Sequence, residues 1–453
     1  MNWIGSGSFN SLPAGLTSKI LYLTISIIEP NQLIYYNYRR KMNSFPRYIT
    51  FLSILLVLMS CRTNTKKELT IDLISFADSS NAILPHLVSD QDHLYLSWVD
   101  SFSHAHTELK YAKLEDGHWG KPVVLSSGTN WFVNWADYPM ISINNGLLLS
   151  HYLQNSGTKG MAYDIYFRVS KLGQANQEKF KLLHNDNTAT EHGFVSMLPM
   201  SDSTFLIAWL DGRNMASHNH GSMHSHEHAA GEMSVRIAEV NLQGELRNET
   251  VVDEMACTCC QTTMSMTESG PVLMYRDCSE DNIRDISIVR LINGNWTKPV
   301  SIHKDNWFIQ GCPVNGPKSD AMGSSLAVAW YTAANDKPKV QVVFSKNSGE
   351  SFHKPFLVSD GEVVGRVDLS MISGDEAVVS WMETINKETF LFAAKVTEKE
   401  GLSNRVEIAK MSSSRKTGFP QMERLGDDLY FAWMDINDKG SKLKTAVVPI
   451  QKF

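Results

Sequence analysis

Short apolar runs of about five residues recur along this sequence and are bounded by polar turn residues. The clearest run, residues 429–435, reads Leu-Tyr-Phe-Ala-Trp-Met-Asp, and near-copies occupy residues 94–100, 205–211, 326–331 and 377–383. Weaker copies with tyrosine in the tryptophan position occupy residues 147–154 and 272–277. The aromatic anchors are 51 to 66 residues apart, a spacing typical of repeat architectures. Continuous apolar runs of this length predict β-strands that are buried on both faces.

Each repeat contains further strands besides this anchor strand. A shorter apolar run precedes the anchor strand at residues 84–88, 138–142, 312–314, 366–370 and 419–422. Alternating apolar and polar residues follow it at 109–113, 164–169, 235–238, 286–289 and 340–344, which predicts strands with one less buried face. Outer strands are predicted at 122–125, 180–183, 250–252, 299–302, 355–358 and 406–408. Seven repeats therefore have six outer strands within their own segments.

A spare strand lies ahead of the first repeat, at residues 69–74, and the last repeat ends at residues 446–448 without an outer strand. Pairing these two segments would close a ring of four-stranded units, which leaves only short, protected sheet edges. The predicted fold is therefore all-β, a single β-propeller over residues 68–453. Seven blades are favoured, with six as the alternative if the repeat of Tyr152 is irregular.

The sequence before the repeats carries a targeting signal. Arg47 and the apolar residues 49–58 precede Leu58-Met59-Ser60-Cys61, a pattern that resembles the signal of bacterial lipoproteins. The resemblance implies a signal peptide at residues 42–60, acylation of Cys61 and a polar tether at residues 61–67. It also implies a protein of the bacterial cell envelope that is anchored by lipid to the outer membrane. An ordinary cleaved signal with an incidental cysteine is the alternative.

Residues 1–41 form an upstream extension whose apolar run is too short to span a membrane. We expect this extension to be unstructured or absent from the mature protein, and both Met1 and Met42 are candidate start sites. The net charge is −6, and no block of lysine and arginine follows the signal, so we expect no nucleic-acid partner.

A second recurring feature lies between the third and fourth strands of a repeat. Residues 345–352 read Ser-x-Asn-x-Gly-x-Ser-Phe, and partial copies occur at residues 117–122 and 294–299. The pattern is similar to the Asp-box of sialidase-like (BNR-repeat) β-propellers, with Asn347 in place of the usual aspartate. In that family the box is a structural turn whose glycine adopts a backbone conformation that other residues resist. The resemblance therefore implies a fold and not an activity.

The sialidase resemblance also implies three arginines that bind the substrate carboxylate, an aspartate acid/base and a tyrosine-glutamate nucleophile. The first arginine belongs to an Arg-Ile-Pro motif, but the corresponding residues 81–85 read Asn-Ala-Ile-Leu-Pro. The candidate catalytic residues that remain are Arg366, Arg276, Arg284 and Asp277. Whether the protein is an enzyme stays open, and an enzyme would be a glycoside hydrolase of the exo-α-sialidase type.

Acidic residues end five of the anchor strands: Asp100, Asp211, Asp277, Glu383 and Asp435. Paired carboxylates can act as acid and base in glycoside hydrolysis. A feature that repeats five times favours a structural role instead, and we expect these carboxylates to cap turns.

Five cysteines are predicted to meet at one mouth of the propeller channel. Cys257, Cys259 and Cys260 lie in the loop that leads into the fourth blade, Cys278 follows the second strand of that blade, and Cys312 opens the fifth blade. Loops at these positions emerge on the same face of a propeller. Thiolates are soft ligands that favour copper(I) and zinc. In an oxidising compartment, two disulfides with one thiol left over are the alternative.

A loop of the third blade, residues 213–228, is predicted on the same face as the cysteines. Its candidate auxiliary ligands are His218, His220, His224, His226, His228 and Met223, and the first blade adds His104 and His106. Imidazole and thioether groups suit copper or zinc, so the composition predicts weak metal binding. A solvated insertion without metal is the alternative.

Four further residues are predicted to line the mouth and to bind a small molecule or carbohydrate: Trp307, Asn315, Gln261 and Arg366. For the tryptophan, a role as loop anchor is the alternative. Three functions stay open. The first is an envelope lipoprotein whose channel mouth binds copper, zinc or a small ligand. The second is a divergent exo-glycosidase of the sialidase type that acts on acidic sugars, and the third is a partner-binding propeller without catalysis.

Overall fold

Seven antiparallel β-sheets of four or five strands each make up the protein in the computed structural model. The structure describes residues 71–76, 81–90, 92–103, 106–157, 161–174, 179–200, 203–218, 233–437 and 440–453. Helical structure within these residues is limited to 3-10 turns at Arg213–His218, Ala334–Asp336, Arg415–Thr417 and Ile450–Lys452. In the same residues, no helix has the length and apolar character of a membrane span.

The first strand in the chain, β1 (Asp72–Ile74), belongs to the last sheet, and the first three sheets follow it in order. Blade 1 contains β2 (Ala82–Ser89), β3 (Leu94–Ser103), β4 (His106–Glu115), β5 (His118–Trp119) and β6 (Val123–Gly128). Blade 2 contains β7 (Ile141–Asn144), β8 (Leu147–Asn155), β9 (Tyr163–Lys171) and β10 (Lys181–Leu182). Blade 3 contains β11 (His192–Pro199), β12 (Phe205–Asp211), β13 (Ser234–Val240) and β14 (Leu246–Asp253).

Four sheets complete the fold. Blade 4 contains β15 (Thr263–Thr267), β16 (Gly270–Arg276), β17 (Ile286–Ile292), β18 (Asn295–Trp296) and β19 (Val300–His303). Blade 5 contains β20 (Lys318–Met322), β21 (Ser325–Thr332), β22 (Lys339–Ser345) and β23 (Phe356–Ser359). Blade 6 contains β24 (Glu362–Ser373), β25 (Glu376–Ile385), β26 (Glu388–Thr397), β27 (Gly401–Leu402) and β28 (Val406–Met411). Blade 7 contains β29 (Gln421–Leu425), β30 (Asp428–Asn437), β31 (Gly440–Pro449) and β1.

The innermost strands of the seven sheets contact one another in a closed circle. Strand β2 contacts β7, and the contacts continue through β11, β15, β20, β24 and β29 back to β2. The ring closes as the sequence predicts, because β1 pairs antiparallel with β31 in the register Asp72 to Val447 and Ile74 to Thr445. The seven-bladed β-propeller is confirmed.

The aromatic anchors lie on the second strand of each blade, as the repeat predicts. All seven residues of β12 are buried, and Trp98, Trp209, Trp330 and Trp381 are among the largest fully buried side chains. Burial of an indole requires a partner for its N–H group. Trp98, Trp209 and Trp381 donate to Asp100, Asp211 and Glu383, two residues further along the same strand, at 2.8 to 3.0 Å. These carboxylates have structural contacts, since each accepts from the anchor tryptophan of its own strand. Asp211 also accepts from the backbone N–H of Arg213 at 3.1 Å and so caps the turn Arg213–His218, as expected.

The Asp-box of blade 5 forms the turn that the resemblance implies. Asn347 Oδ1 accepts from the backbone N–H of Ser351 at 3.0 Å, as an aspartate would. Gly349 has φ +77° and donates its N–H to Ser345 Oγ at 3.0 Å. The partial copies are different. Their Asp-Gly and Asn-Gly pairs, Asp116-Gly117 and Asn293-Gly294, have positive φ at both positions and make the tight turns of the hairpins β4–β5 and β17–β18.

One strand prediction is wrong. Residues 312–314 are not the first strand of blade 5, which is β20 (Lys318–Met322). The ladder between β20 and β21 begins only at Lys318, and Pro313 and Pro317 have no backbone N–H to donate to a sheet. Cys312 therefore lies in the loop between β19 and β20.

Candidate functional site

Three of the predicted thiols converge at one end of the channel. Cys257, Cys259 and Cys260 lie in the loop between β14 and β15, which is held to blade 4 by the backbone hydrogen bond from Cys257 N–H to the Arg276 carbonyl at 3.0 Å. Cys257 Sγ is 3.9 Å from Cys259 Sγ and 3.5 Å from Cys260 Sγ. All three sulfur atoms lie within 4.8 Å of one another. We call these three residues the thiol trio.

The other two cysteines differ in their relation to the trio. Cys312 is exposed, and its Sγ lies 3.4 Å from Oγ1 of Thr258, the residue between the first two thiols of the trio. Cys278 is buried and contacts the carbonyl of Ser279 at 3.8 Å. All five are free thiols. The separations of 3.5 and 3.9 Å are far longer than a disulfide bond of about 2.05 Å.

The pKa values of the thiols in and beside the trio are shifted in opposite directions. Hydrogen bonds from the Cys259 and Cys260 thiols, together with the nearby Arg284 guanidinium, hold the pKa of Cys257 well below its usual range. Arg284 Nη1 donates directly to Cys257 Sγ at 3.1 Å. Burial raises the pKa of Cys260 to about 12, and the hydrogen bond from Cys259 lowers the pKa of Cys312 to about 6. The pKa values of Cys257 and Cys312 are therefore lowered and that of Cys260 is raised, so neighbouring thiols of this cluster differ in acidity.

Gln261 and Asn315 connect blades instead of facing the channel as open polar groups. Gln261 Nε2 donates to the Ala136 carbonyl at 2.7 Å, and its Oε1 accepts from Gly316 N–H at 3.1 Å. Asn315 Oδ1 accepts from Arg366 N–H at 2.7 Å. Both side chains are buried, so they fix the loop geometry around the thiols.

The contacts of Arg276 hold neighbouring loops together and leave little of its guanidinium for a ligand. Its guanidinium donates to the carbonyls of Asn315, Arg284 and Tyr331 at 2.7 to 3.1 Å, which occupies four of its five N–H donors. The ring of Trp307 covers the guanidinium at 4.9 Å. Trp307, predicted as a ligand-binding residue, thus packs on a buried arginine, and this contact favours the alternative role as a loop anchor.

Arg366 has different surroundings. Its Nη1 donates to neutral acceptors, among them Thr417 Oγ1 and the Gly418 carbonyl, and its guanidinium lies 5.0 Å from the Trp135 ring. Arg415 approaches the same ring to 5.7 Å. Among the described residues, neither guanidinium forms an ion pair with a carboxylate. Burial and the neighbouring Arg415 lower the pKa of Arg366 to about 10.

Asp277 is half-buried and lies near other acidic groups. Burial and then the nearby Asp253 raise the pKa of Asp277 to about 6, although Ser287 Oγ donates to it at 2.8 Å. Sequence reasoning missed two more carboxylates beside the thiols. Burial raises the pKa of both Asp137 and Glu191 to about 7, and the negative charge of Cys312 contributes for Glu191. Isolated acidic residues give no sequence signal that would reveal this placement.

The loop of blade 3 contributes little to the described site. The residues Cys61, His104, His220, Met223, His224, His226 and His228 lie outside the described residues. His218 is the last residue of the 3-10 turn Arg213–His218, and His106 begins β4. Metal binding by this loop stays a prediction.

No protein-family model matches the sequence, and no curated protein matches it. Several solved structures are similar in overall form. Polysaccharide lyase Uly1 has 9% sequence identity and a TM-score of 0.48 over 86% of this chain and 94% of its own. The endosialidase of phage phi92 has 10% identity and a TM-score of 0.45, covering 84% and 69% of the two chains. An α-L-arabinanase of Penicillium chrysogenum has 10% identity and a TM-score of 0.42, covering 84% and 98%. One propeller fold carries many activities, so similarity at this level says nothing about this chain's activity.

Proposed function

We propose that this protein is a metal-binding lipoprotein of the cell envelope, in which the thiol trio binds one zinc or copper(I) ion at the channel mouth. The observation that carries the proposal is the spacing of the three sulfur atoms. A zinc ion with thiolates at about 2.3 Å in tetrahedral geometry requires sulfur atoms about 3.8 Å apart. Cys257 Sγ lies 3.9 and 3.5 Å from the other two.

The surroundings of the trio support a charged metal-thiolate group. Three thiolates around one divalent ion leave a net negative charge, and Arg284 already donates to Cys257 Sγ. Cys257 and Cys260 are fully buried, whereas Cys259 is partly exposed and Cys312 is exposed. Metal would therefore enter from the side of Cys259. Cys312, whose Sγ contacts Thr258 Oγ1 at 3.4 Å, would need to move toward the trio to supply a fourth sulfur. Soft sulfur ligands select copper(I) and zinc over magnesium or calcium.

Metal and free thiols counted on the same purified sample test this proposal. The five loop histidines, His218, His220, His224, His226 and His228, are first replaced by asparagine so that they bind no metal. We expect one zinc or copper(I) ion per chain, with at least three thiols that react only after chelation. Cys260→Ser should weaken binding by more than roughly 100-fold, because losing only the hydrogen-bond partner of a ligand already costs about 10- to 100-fold.

Cys278→Ser is the matched control, because Cys278 is a buried thiol outside the trio. It should bind metal as the parent protein does. Disulfides among the trio, or equal losses in both variants, would overturn the proposal.

A carbohydrate-binding role is the second candidate, and the arginines around Trp135 favour it. Arg366 and Arg415 flank one indole ring at 5.0 and 5.7 Å. Two cations without an ion-paired carboxylate among the described residues, beside a partly exposed aromatic ring, suit a sugar that bears a carboxylate. The ligand would be an acidic glycan.

Titration calorimetry tests this candidate by measuring the affinity for a sialylated oligosaccharide and for a uronate-containing one. Each affinity is compared with that for the matching neutral oligosaccharide. Arg415→Ala should weaken binding of the acidic glycan about 10- to 100-fold, as expected for a hydrogen bond to a charged group. Arg247→Ala removes an exposed arginine of blade 3 and should have no effect. Equal affinity for the neutral glycan would eliminate the candidate, and release of reducing sugar would extend it to catalysis.

A further inference from the structure

Two buried histidines stack on each other where blade 2 meets blade 3. His184 follows β10 and His192 begins β11, and their ring centroids are 3.6 Å apart with an interplanar angle of 7°. Both rings are almost completely buried. Asp164, near the start of β9, faces the pair: its Oδ1 is 3.5 Å from His184 Nε2 and 4.0 Å from His192 Nδ1.

The atoms that face one another in this group have no hydrogen-bond partner. His184 Nε2, His192 Nδ1 and Asp164 Oδ1 are all buried and unsatisfied in the structure. A buried polar atom without a partner costs about 1 to 3 kcal/mol, and three of them at one point require an explanation. One ligand atom from each residue lies within 4.8 Å of the other two.

Asp186 contacts the opposite side of both rings. His184 Nδ1 forms a hydrogen bond with Asp186 Oδ2 at 2.9 Å, and His192 Nε2 lies 3.1 Å from the same oxygen. A carboxylate on one ring nitrogen orients the imidazole and fixes its proton there, so the other nitrogen carries the lone pair. His184 therefore directs its Nε2 lone pair toward Asp164. Both ring nitrogens of His192 lack a hydrogen-bond partner among the described residues, so Nδ1 is available to a ligand on the side of Asp164.

The charges around the pair favour a cation. The carboxylates and guanidinium groups of this network are Asp164, Asp186, Asp211 and Glu249, and Arg213 and Arg236. Four negative charges against two positive charges leave two negative charges when both imidazoles are neutral. One divalent cation balances this excess.

We infer that Asp164, His184 and His192 bind a divalent transition-metal ion, zinc or copper(II), that crosslinks blades 2 and 3. Nitrogen and oxygen ligands at about 2.0 to 2.1 Å around a tetrahedral ion are about 3.3 Å apart. The measured 3.5 and 4.0 Å require a contraction of less than about 1 Å. One ring must also turn out of the parallel stack, because the in-plane lone pairs of two parallel rings do not meet at one ion. Two imidazoles and a carboxylate make a harder ligand set than the thiol trio, and this inference does not depend on the thiol site.

Cobalt(II) binding distinguishes the two sites. The parent protein for this test has the five loop histidines replaced by asparagine and carries Cys257→Ser and Cys260→Ser. We expect one cobalt ion per chain, with visible ligand-field bands and without the near-ultraviolet charge transfer that thiolates give. Zinc should compete with cobalt stoichiometrically and raise the melting temperature. His184→Gln and Asp164→Asn should each weaken binding by more than roughly 100-fold and abolish the metal-dependent stabilisation.

His151→Gln is the matched control, since His151 is a fully buried histidine of β8 outside this group. It should leave cobalt binding unchanged. Asp164 is partly exposed, so Asp164→Asn gives a folded variant for the test if His184→Gln does not fold. Absence of bound cobalt or zinc at micromolar concentration in the parent protein would overturn the inference. Unchanged affinity in Asp164→Asn, or a spectrum with thiolate charge transfer, would do the same.

Discussion

Replacement of Glu423 by glutamine should remove much of the pH dependence of stability. Glu423 lies on β29, the innermost strand of blade 7, in a polar group at the centre of the ring together with His86, Lys318 and Asp368. Ser89 Oγ donates to Glu423 Oε1 at 2.6 Å. Burial raises the pKa of Glu423 from its usual 4.5 to about 8, against the opposing effect of Ser89.

The sign of the effect follows from the proton balance. Below pH 4.5 the carboxyl is protonated in the folded and the unfolded chain, so its contribution to stability is fully present. Between pH 4.5 and about 8 the unfolded chain loses the proton and the folded protein retains it, so stability falls as pH rises. A difference of about 3.5 pKa units at 1.36 kcal/mol each corresponds to about 5 kcal/mol at pH 8.

Urea unfolding at pH 5, 6, 7 and 8, followed by tryptophan fluorescence, measures this effect. Glutamine keeps the shape of the side chain and does not titrate. The free energy of unfolding of Glu423→Gln relative to the wild type should therefore rise by up to about 1.4 kcal/mol per pH unit. Glu400→Gln, an exposed control on another blade, should show no such trend. A difference between Glu423→Gln and the wild type that stays constant from pH 5 to pH 8 would refute the reasoning.

Two further substitutions test local structure. Asn347→Ala removes the acceptor for Ser351 N–H in the Asp-box turn and should cost about 1 kcal/mol in urea unfolding, whereas Asn347→Asp, which keeps an acceptor, should cost less than half of that. Gly316→Ala places a Cβ 2.1 Å from the Gln261 carbonyl oxygen, so the backbone beside the thiols must move. We expect a loss of about 1 to 3 kcal/mol together with weaker zinc binding; stability lost with zinc affinity unchanged would show that the thiol loop is independent of Gly316.

The fold could be predicted because its signal is local and repeated. An anchor strand such as residues 205–211 is apolar up to its final aspartate, and seven such runs at similar spacing predict seven equivalent sheets. The predicted closure by β1 followed from counting outer strands. The prediction failed at residues 312–314, where the apolar pattern suggested a strand but the first strand of blade 5 begins only at Lys318, after Pro313 and Pro317.

The candidate site could be predicted only in part. The thiols were found because three lie within four residues and loops on one face of a propeller converge. The histidine pair was missed because residues 164, 184 and 192 are separated along the chain by strand β10 and two turns, and none belongs to a motif. Their proximity arises from the packing of blade 2 on blade 3, which the sequence pattern does not contain.

Glu191 and His192 are neighbours in the chain but lie near different groups of ligands. Burial, and then the charge of the Cys312 thiolate, raise the pKa of Glu191, whereas His192, the first residue of β11, stacks on His184. Ligand type determines which metal each set prefers, so the soft sulfur set should favour copper(I) more strongly than the nitrogen and oxygen set, while zinc suits both.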